Sequence, residues 1–174
     1  MWVSDISRIC DGIPPVQDRV LFNTRSEGVT DPCFWKKLFL EHRCIVPASL
    51  FFEWQQVAKK GHAKPKYEFV VPGREYFGFA GIWSHFFNPK IGLKEKTFSL
   101  LTQGANGVML PVHERQPVVL EPRDYAAWLI ETERPPVHLM RELPDEELTA
   151  KLLNTPHKSP CRHLWSEVKH TGIV

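Results

Sequence analysis

No apolar run in this chain approaches the ~18 residues needed to cross a bilayer, which excludes a helical membrane span. The N-terminus, MWVSDISRIC, lacks the basic segment and apolar core of a secretory signal, so export is not expected. Its four cysteines, Cys10, Cys33, Cys44 and Cys161, form no CxxC pair and are too sparse for a disulfide scaffold. Reduced thiols and a cytoplasmic location are therefore expected, nuclear if the source is eukaryotic. No internal repeat or long low-complexity segment is present, which excludes solenoids and tails. Neither HExxH nor a Ser/His/Asp pattern offers general proteolysis. Strong charge of either sign is missing too: a net +2 permits an anionic partner without demonstrating one.

What remains is 174 residues, 43% hydrophobic and 24% charged, the composition of one globular domain with a sizeable core. Fifteen prolines and ten glycines cut it into short elements, which points to a single α+β domain over 1–174. Asp31 and Pro32 mark a helix start, and Phe34, Trp35, Leu38 and Phe39 recur at helical spacing up to His42. Strands are expected at Arg43 to Pro47 and Leu50 to Gln55, then a Lys-rich exposed loop, Gln56 to Lys64. Lys66 to Val71 and Tyr76 to Ile82 read as paired strands about the turn Pro72, Gly73, Arg74. Further strands fit Thr97 to Thr102 and Pro117 to Leu120. One late helix starts at Pro122 and carries Tyr125, Trp128 and Leu129. A second starts near Pro144, with Asp145, Glu146 and Glu147 favouring its dipole.

Three segments hold candidate chemistry. In RCIVPASLFFEW, Arg43 to Trp54, the carboxylate of Glu53 sits among Phe51, Phe52 and Trp54. Desolvation there would raise its pKa and suit it to proton transfer near neutrality. The alternative places Glu53 on the solvent face of a half-buried strand. LFNTRSEGV, Leu21 to Val29, puts Asn23, Arg25 and Glu27 at alternate positions, so on a strand they share one face. An amide and a guanidinium together can hold an anionic, hydroxyl-rich ligand, although a solvated strand face explains the pattern as well. In VHERQPVVL, Val112 to Leu120, His113 and Arg115 precede a short apolar strand; a lone histidine is often structural. The cluster His157, Cys161 and His163 matches no standard zinc spacing, so no metal and no cofactor is expected.

Taken together with GFAGIW (Gly78 to Trp83) and FSLLTQGAN (Phe98 to Asn106), these segments resemble the SRAP family, the SOS response-associated peptidase domain. Family members show NARxE-like, RCxxPxxGFYEW-like and FAGLW-like strands and a T-x-x-A-N…H-x-R-M-P segment, in this order. The resemblance runs from Leu21 to the final helices. It implies a mixed β-sheet or barrel-like core flanked by helices, and a monomeric partner of single-stranded DNA with abasic sites. In the family an N-terminal cysteine, exposed by self-removal of the initiator methionine, condenses with the sugar aldehyde into a thiazolidine. By motif position Asn23, Glu53 and His113 are the catalytic candidates. Asn23 orients the nucleophile and sugar, Glu53 assists proton transfer, and His113 contacts the opened sugar as acid or base. Arg25 would grip a phosphate, and Trp54, Thr102 and Arg115 would lie near the DNA. The family begins Met-Cys-Gly-Arg, whereas this chain reads Met1, Trp2, Val3, Ser4. With 22 residues before Asn23, the expectation is a domain incomplete at its N-terminus, with the crosslinking nucleophile absent. The alternative is a non-catalytic single-strand-binding module with a vestigial site. Leu50 and Gln116 replace a family glycine and methionine, which is expected to shift Glu53 and the packing beneath His113.

Overall fold

Alternation along the strands builds this domain, because successive residues of one strand feed two different cores. The computed structural model describes residues 22–30, 35–56, 64–88 and 92–153. Nine strands occur among them: β1 (Asn23–Arg25), β2 (Arg43–Ala48), β3 (Phe51–Trp54), β4 (Lys66–Val70), β5 (Phe77–Asn88), β6 (Leu93–Gly104), β7 (Arg115–Pro117), β8 (Val119–Leu120) and β9 (Thr149–Leu153). The larger sheet runs β1-β6-β5-β2, with β7 paired to β6 and β8 to β5; the smaller runs β3-β4-β9. Among the described strands only β1 and β6 are parallel. The α+β class expected from the punctuated sequence is what the chain adopts.

One face of the larger sheet sends Ala80, Ile82, Leu101, Val118 and Leu120 towards helices α1 (Trp35–Glu41) and α2 (Tyr125–Leu129). Phe39 and Trp128 are fully buried there and meet edge to face at 5.6 Å. The opposite face sends Phe77, Phe79 and Val119 against Phe69 of the smaller sheet. Phe51 stacks on Phe69 at 5.0 Å and meets the edge of Phe79 at 5.6 Å. The two cores are thus the two sides of one sheet.

Arg43, 6% exposed, joins the helical layer to the sheet. Its guanidinium donates to the carbonyls of Phe39 and Leu40 at the end of α1 and of Trp128 and Ile130 at the end of α2. Helix ends leave such carbonyls without intrahelical partners, and a cation there also suits both helix dipoles. Burial pulls the Arg43 pKa down from its ordinary value, opposed by the charge of Glu131.

Three expectations are corrected. Lys66 to Val71 and Tyr76 to Ile82 do not pair: β4 joins β3 and β9, while β5 lies in the other sheet. Val71 and Phe77 both enter the core between the sheets, so the turn at Gly73, with φ of +76°, is a corner from one sheet to the other. The acidic stretch after Pro144 forms a single 3₁₀ turn, Asp145–Glu147. There the edge of β4 captures the next residues as β9, and strand pairing replaces helix extension. Glu27 lies not on β1 but in the 3₁₀ turn Ser26–Gly28 that ends it. The helix start at Asp31, Pro32, Cys33 and Phe34, most of the Lys-rich loop, and Cys10, His157, Cys161 and His163 lie outside the described residues.

Replacing Arg43 by methionine keeps the volume and strands carbonyls of two helices. It should destabilise the fold by about 3 kcal/mol, lowering the thermal midpoint by about 10 °C in a calorimetric comparison.

Candidate functional site

Strand β3 alternates in exposure, and its direction decides what Glu53 does. Phe51 and Glu53 are half-buried, whereas Phe52 and Trp54 are 40% and 46% exposed. Glu53 therefore points inward, against the solvent-face alternative. Its neighbours Phe52 and Trp54 point the other way and do not enclose it. The Glu53 carboxylate accepts the Trp54 backbone N–H at 3.1 Å. Beneath it lies a cavity of about 340 Å³ between β3, the β1/β6 pair and the segment leading into β7. Asn23, Glu53, Thr102, His113 and Arg115 all line it, with Phe51, Phe79 and Leu100 among its apolar walls. Five residues distant in sequence are brought together.

Each wall has a local cause. Asn23 and Arg25 flank the buried Thr24, whose hydroxyl pairs with Ser99 at 2.9 Å, so both are turned outward on one face as expected. Arg25 is exposed and makes no ion pair among the described residues. His113 ends a tightly bonded turn. Asn106 accepts the Met109 N–H with its side-chain oxygen and donates to the Leu143 carbonyl, both at 3.0 Å. The N–H groups of Val112 and His113 both donate to the Met109 carbonyl. Nδ1 of His113 lies 2.9 Å from the Arg115 backbone nitrogen and 3.0 Å from the Arg115 carbonyl oxygen, so either tautomer of the ring is tied to the Arg115 backbone.

Arg115 spends its guanidinium inside the protein. It forms a fork with Glu27, at 2.6 and 2.8 Å, and donates to the Thr102 carbonyl at 2.5 Å. The pairing holds Glu27 below the ordinary carboxylate pKa, chiefly through the hydrogen bond to Arg115 and against the opposing effect of burial. Arg115 thus braces the cavity wall. Trp54 stands outside the cavity on the outer face of the smaller sheet. Lys66 spans that face, with its ammonium 3.8 Å from the Phe52 ring centre and 5.2 Å from that of Trp54. Phe52 also borders the cavity.

The two departures resolve differently. Leu50 needs no glycine conformation, because no described non-glycine residue has a positive φ. Gln116 is buried, and its side-chain oxygen accepts the Asn106 N–H at 3.0 Å, a polar anchor where a methionine would only pack. Its amide nitrogen has no partner among the described residues. Cys44 lines a different cleft, and burial pushes its thiol up to about 11. Among the described residues no three metal-ligating side chains cluster.

An acid, an imidazole and an amide converge on one cavity walled by Phe51, Phe52, Phe79 and Arg115. Together with two packed sheets and flanking helices, they define an α+β domain with a polar ligand site. The SOS response associated peptidase (SRAP) family model matches residues 12–156, and the chain belongs to that family. It is 28% identical over 109 residues to the abasic site processing protein YoqW of Bacillus subtilis, covering 63% of this chain and 47% of that one. A Saccharomyces cerevisiae abasic site processing protein is 28% identical over 130 residues, covering 74% and 32%. The chain spans about half the length or less of these curated relatives. A crystal structure from Bordetella bronchiseptica superposes with a TM-score of 0.69 at 19% identity, covering 87% of this chain and 75% of that one. One from Bacteroides thetaiotaomicron gives 0.66 at 24%, covering 75% and 57%; both likenesses are of fold.

The Glu27–Arg115 pair carries a pH signature. A depressed carboxylate pKa contributes stability that is complete above the unfolded value and is lost as pH falls through the folded one. Glu27 is more than half exposed, so solvent limits the contribution to under about 1 kcal/mol. Wild type should exceed Glu27→Gln in thermal midpoint above about pH 5, and the difference should shrink as pH falls below the ordinary carboxylate range, through the lowered pKa of Glu27.

Proposed function

We propose that this chain recognises abasic sites in single-stranded DNA and takes part in the DNA-damage response. The observation that carries this reading is the convergence of Asn23, Glu53, Thr102 and His113 on one cavity, with Arg25 on the same side of β1 as Asn23 and the Phe52–Lys66–Trp54 patch on the outer face of β3. A sugar without its base leaves a gap where aldehyde and hydroxyl oxygens need polar partners. Asn23 can donate and accept, Glu53 can take or return a proton, and His113 presents its imidazole to the sugar. Outside the gap, the strand needs cations for phosphates and ring faces for bases, which Arg25, Lys66, Phe52 and Trp54 supply. Relatives named as abasic site processing proteins support the same assignment.

Crosslinking is a separate matter. The family's thiazolidine needs a cysteine with a free α-amine. Cys44 lacks that amine, lines another cleft and holds its proton near neutrality. Cys44 is therefore no candidate for that reaction, and the second reading is a single-strand-binding module with a vestigial site. A denaturing gel decides it: a stable protein–DNA band on an abasic oligonucleotide would establish a covalent reaction.

Recognition itself is tested by affinity. An abasic single strand should bind more tightly than an intact single strand or a duplex, and binding should weaken with salt. Arg25→Ala should reduce affinity roughly fivefold and the magnitude of the salt slope by about 0.7, as expected for one lost single-strand phosphate contact. Equal affinity for abasic single strand and intact duplex would overturn the assignment.

A further inference from the structure

Glu53 and His113 approach the cavity from opposite walls, sixty positions apart in the chain, so something must fix their separation. Each wall is firm internally. Strand β3 is registered against β4, with Glu53 opposite Tyr67. The His113 turn is bonded through Asn106 and Met109. Among the described residues, only two hydrogen bonds cross from the end of β3 to that turn. The Gln55 side-chain amide donates to the Pro111 carbonyl at 3.0 Å, and the Gln56 backbone N–H donates to the Val112 carbonyl at 2.9 Å. Both acceptors immediately precede His113. Gln55 is itself held, because its backbone N–H donates to the Pro65 carbonyl at 2.9 Å and closes the base of the Lys-rich loop. Its amide therefore stands on a fixed stem two residues beyond Glu53.

We propose that Gln55 is a positioning residue that latches the His113 turn to the strand bearing Glu53 and so sets the spacing at which both serve one abasic sugar. This rests on the reading of the cavity as an abasic-site pocket. Side chains beside a reacting or bound group must be held to within about 0.5 Å, and the amide contributes through its donor alone. Gln55 does not line the cavity, so its effect travels through Glu53 and His113.

Two substitutions separate the latch from folding. Gln55→Met keeps the length and removes the donor. Gln55→Glu removes the donor near neutrality and restores one when the carboxyl is protonated. The readout is the ratio of affinities for an abasic and an intact single strand, measured by fluorescence anisotropy, alongside the His113 ring signals in NMR. Gln55→Met should lower the ratio about three- to tenfold with intact-strand affinity unchanged, and should shift the His113 signals. Gln55→Glu should do the same at pH 7, and its ratio should return towards that of wild type at about pH 4.5, each compared with wild type at the same pH. A wild-type preference that survives Gln55→Met, or an equal loss for both strands, overturns the latch alone. A wild type with no preference overturns the parent reading and this one with it.

Discussion

A buried guanidinium organises this domain. Arg43 starts β2, yet its side chain turns back to collect carbonyls from the ends of both helices. Burying a cation costs several kcal/mol unless its donors are used, and here carbonyls use them. α1 has seven residues and α2 five, lengths at which isolated helices are not stable in water. Their persistence depends on packing Phe39 and Trp128 against the sheet and on this shared cap. The Trp128 indole N–H donates to the Cys44 carbonyl at 2.9 Å, so the next residue of the same strand is tied to the same helix. Anchoring β2 in this way also anchors its immediate successor in the chain, β3, which carries Glu53.

The opposite face of the sheet has a different task. There the smaller sheet covers Phe77 and Phe79 and leaves the cavity where β3, the β1/β6 pair and the His113 turn fail to close. The cavity is built from aligned polar side chains on firm backbone. Thr24 anchors β1 inward so that Asn23 and Arg25 face out, and Asn106, supported by Gln116, holds the His113 turn. Arg115 closes one wall by pairing with Glu27. Arg25 is exposed on the same side of β1 as Asn23, and Lys66 lies on the outer face of the smaller sheet.

Much of this was legible in the order of residues. The patterns of NTR, RCIVPASLFFEW and VHERQPVVL located the cavity's polar residues, because strand alternation and motif order do not depend on the rest of the fold. Trp35, Leu38 and Phe39 announced α1 by their spacing. Partner choice was illegible. Lys66 to Val71 and Tyr76 to Ile82 look like a hairpin because a glycine turn separates two apolar runs, and no local signal says that the chain changes sheets there. The run after Pro144 carries good helix-starting residues, but an open strand edge outweighed them. The fork of Arg115 with Glu27 joins positions 88 apart in sequence, which no local pattern shows.

The sequence by itself determined the class of domain, the alternation that turns Asn23 and Arg25 to one side, and the residue types available for chemistry. These are local or compositional properties, set by the period of a strand and the cost of burying charge. Only the tertiary structure decided that Glu53 faces inward while Trp54 faces out, that Arg115 is a brace, and that Gln55 reaches the turn before His113. The physical reason is that a side chain's task depends on what stands opposite it. For these three residues the partner comes from a distant segment, delivered by sheet pairing that no short stretch of sequence encodes.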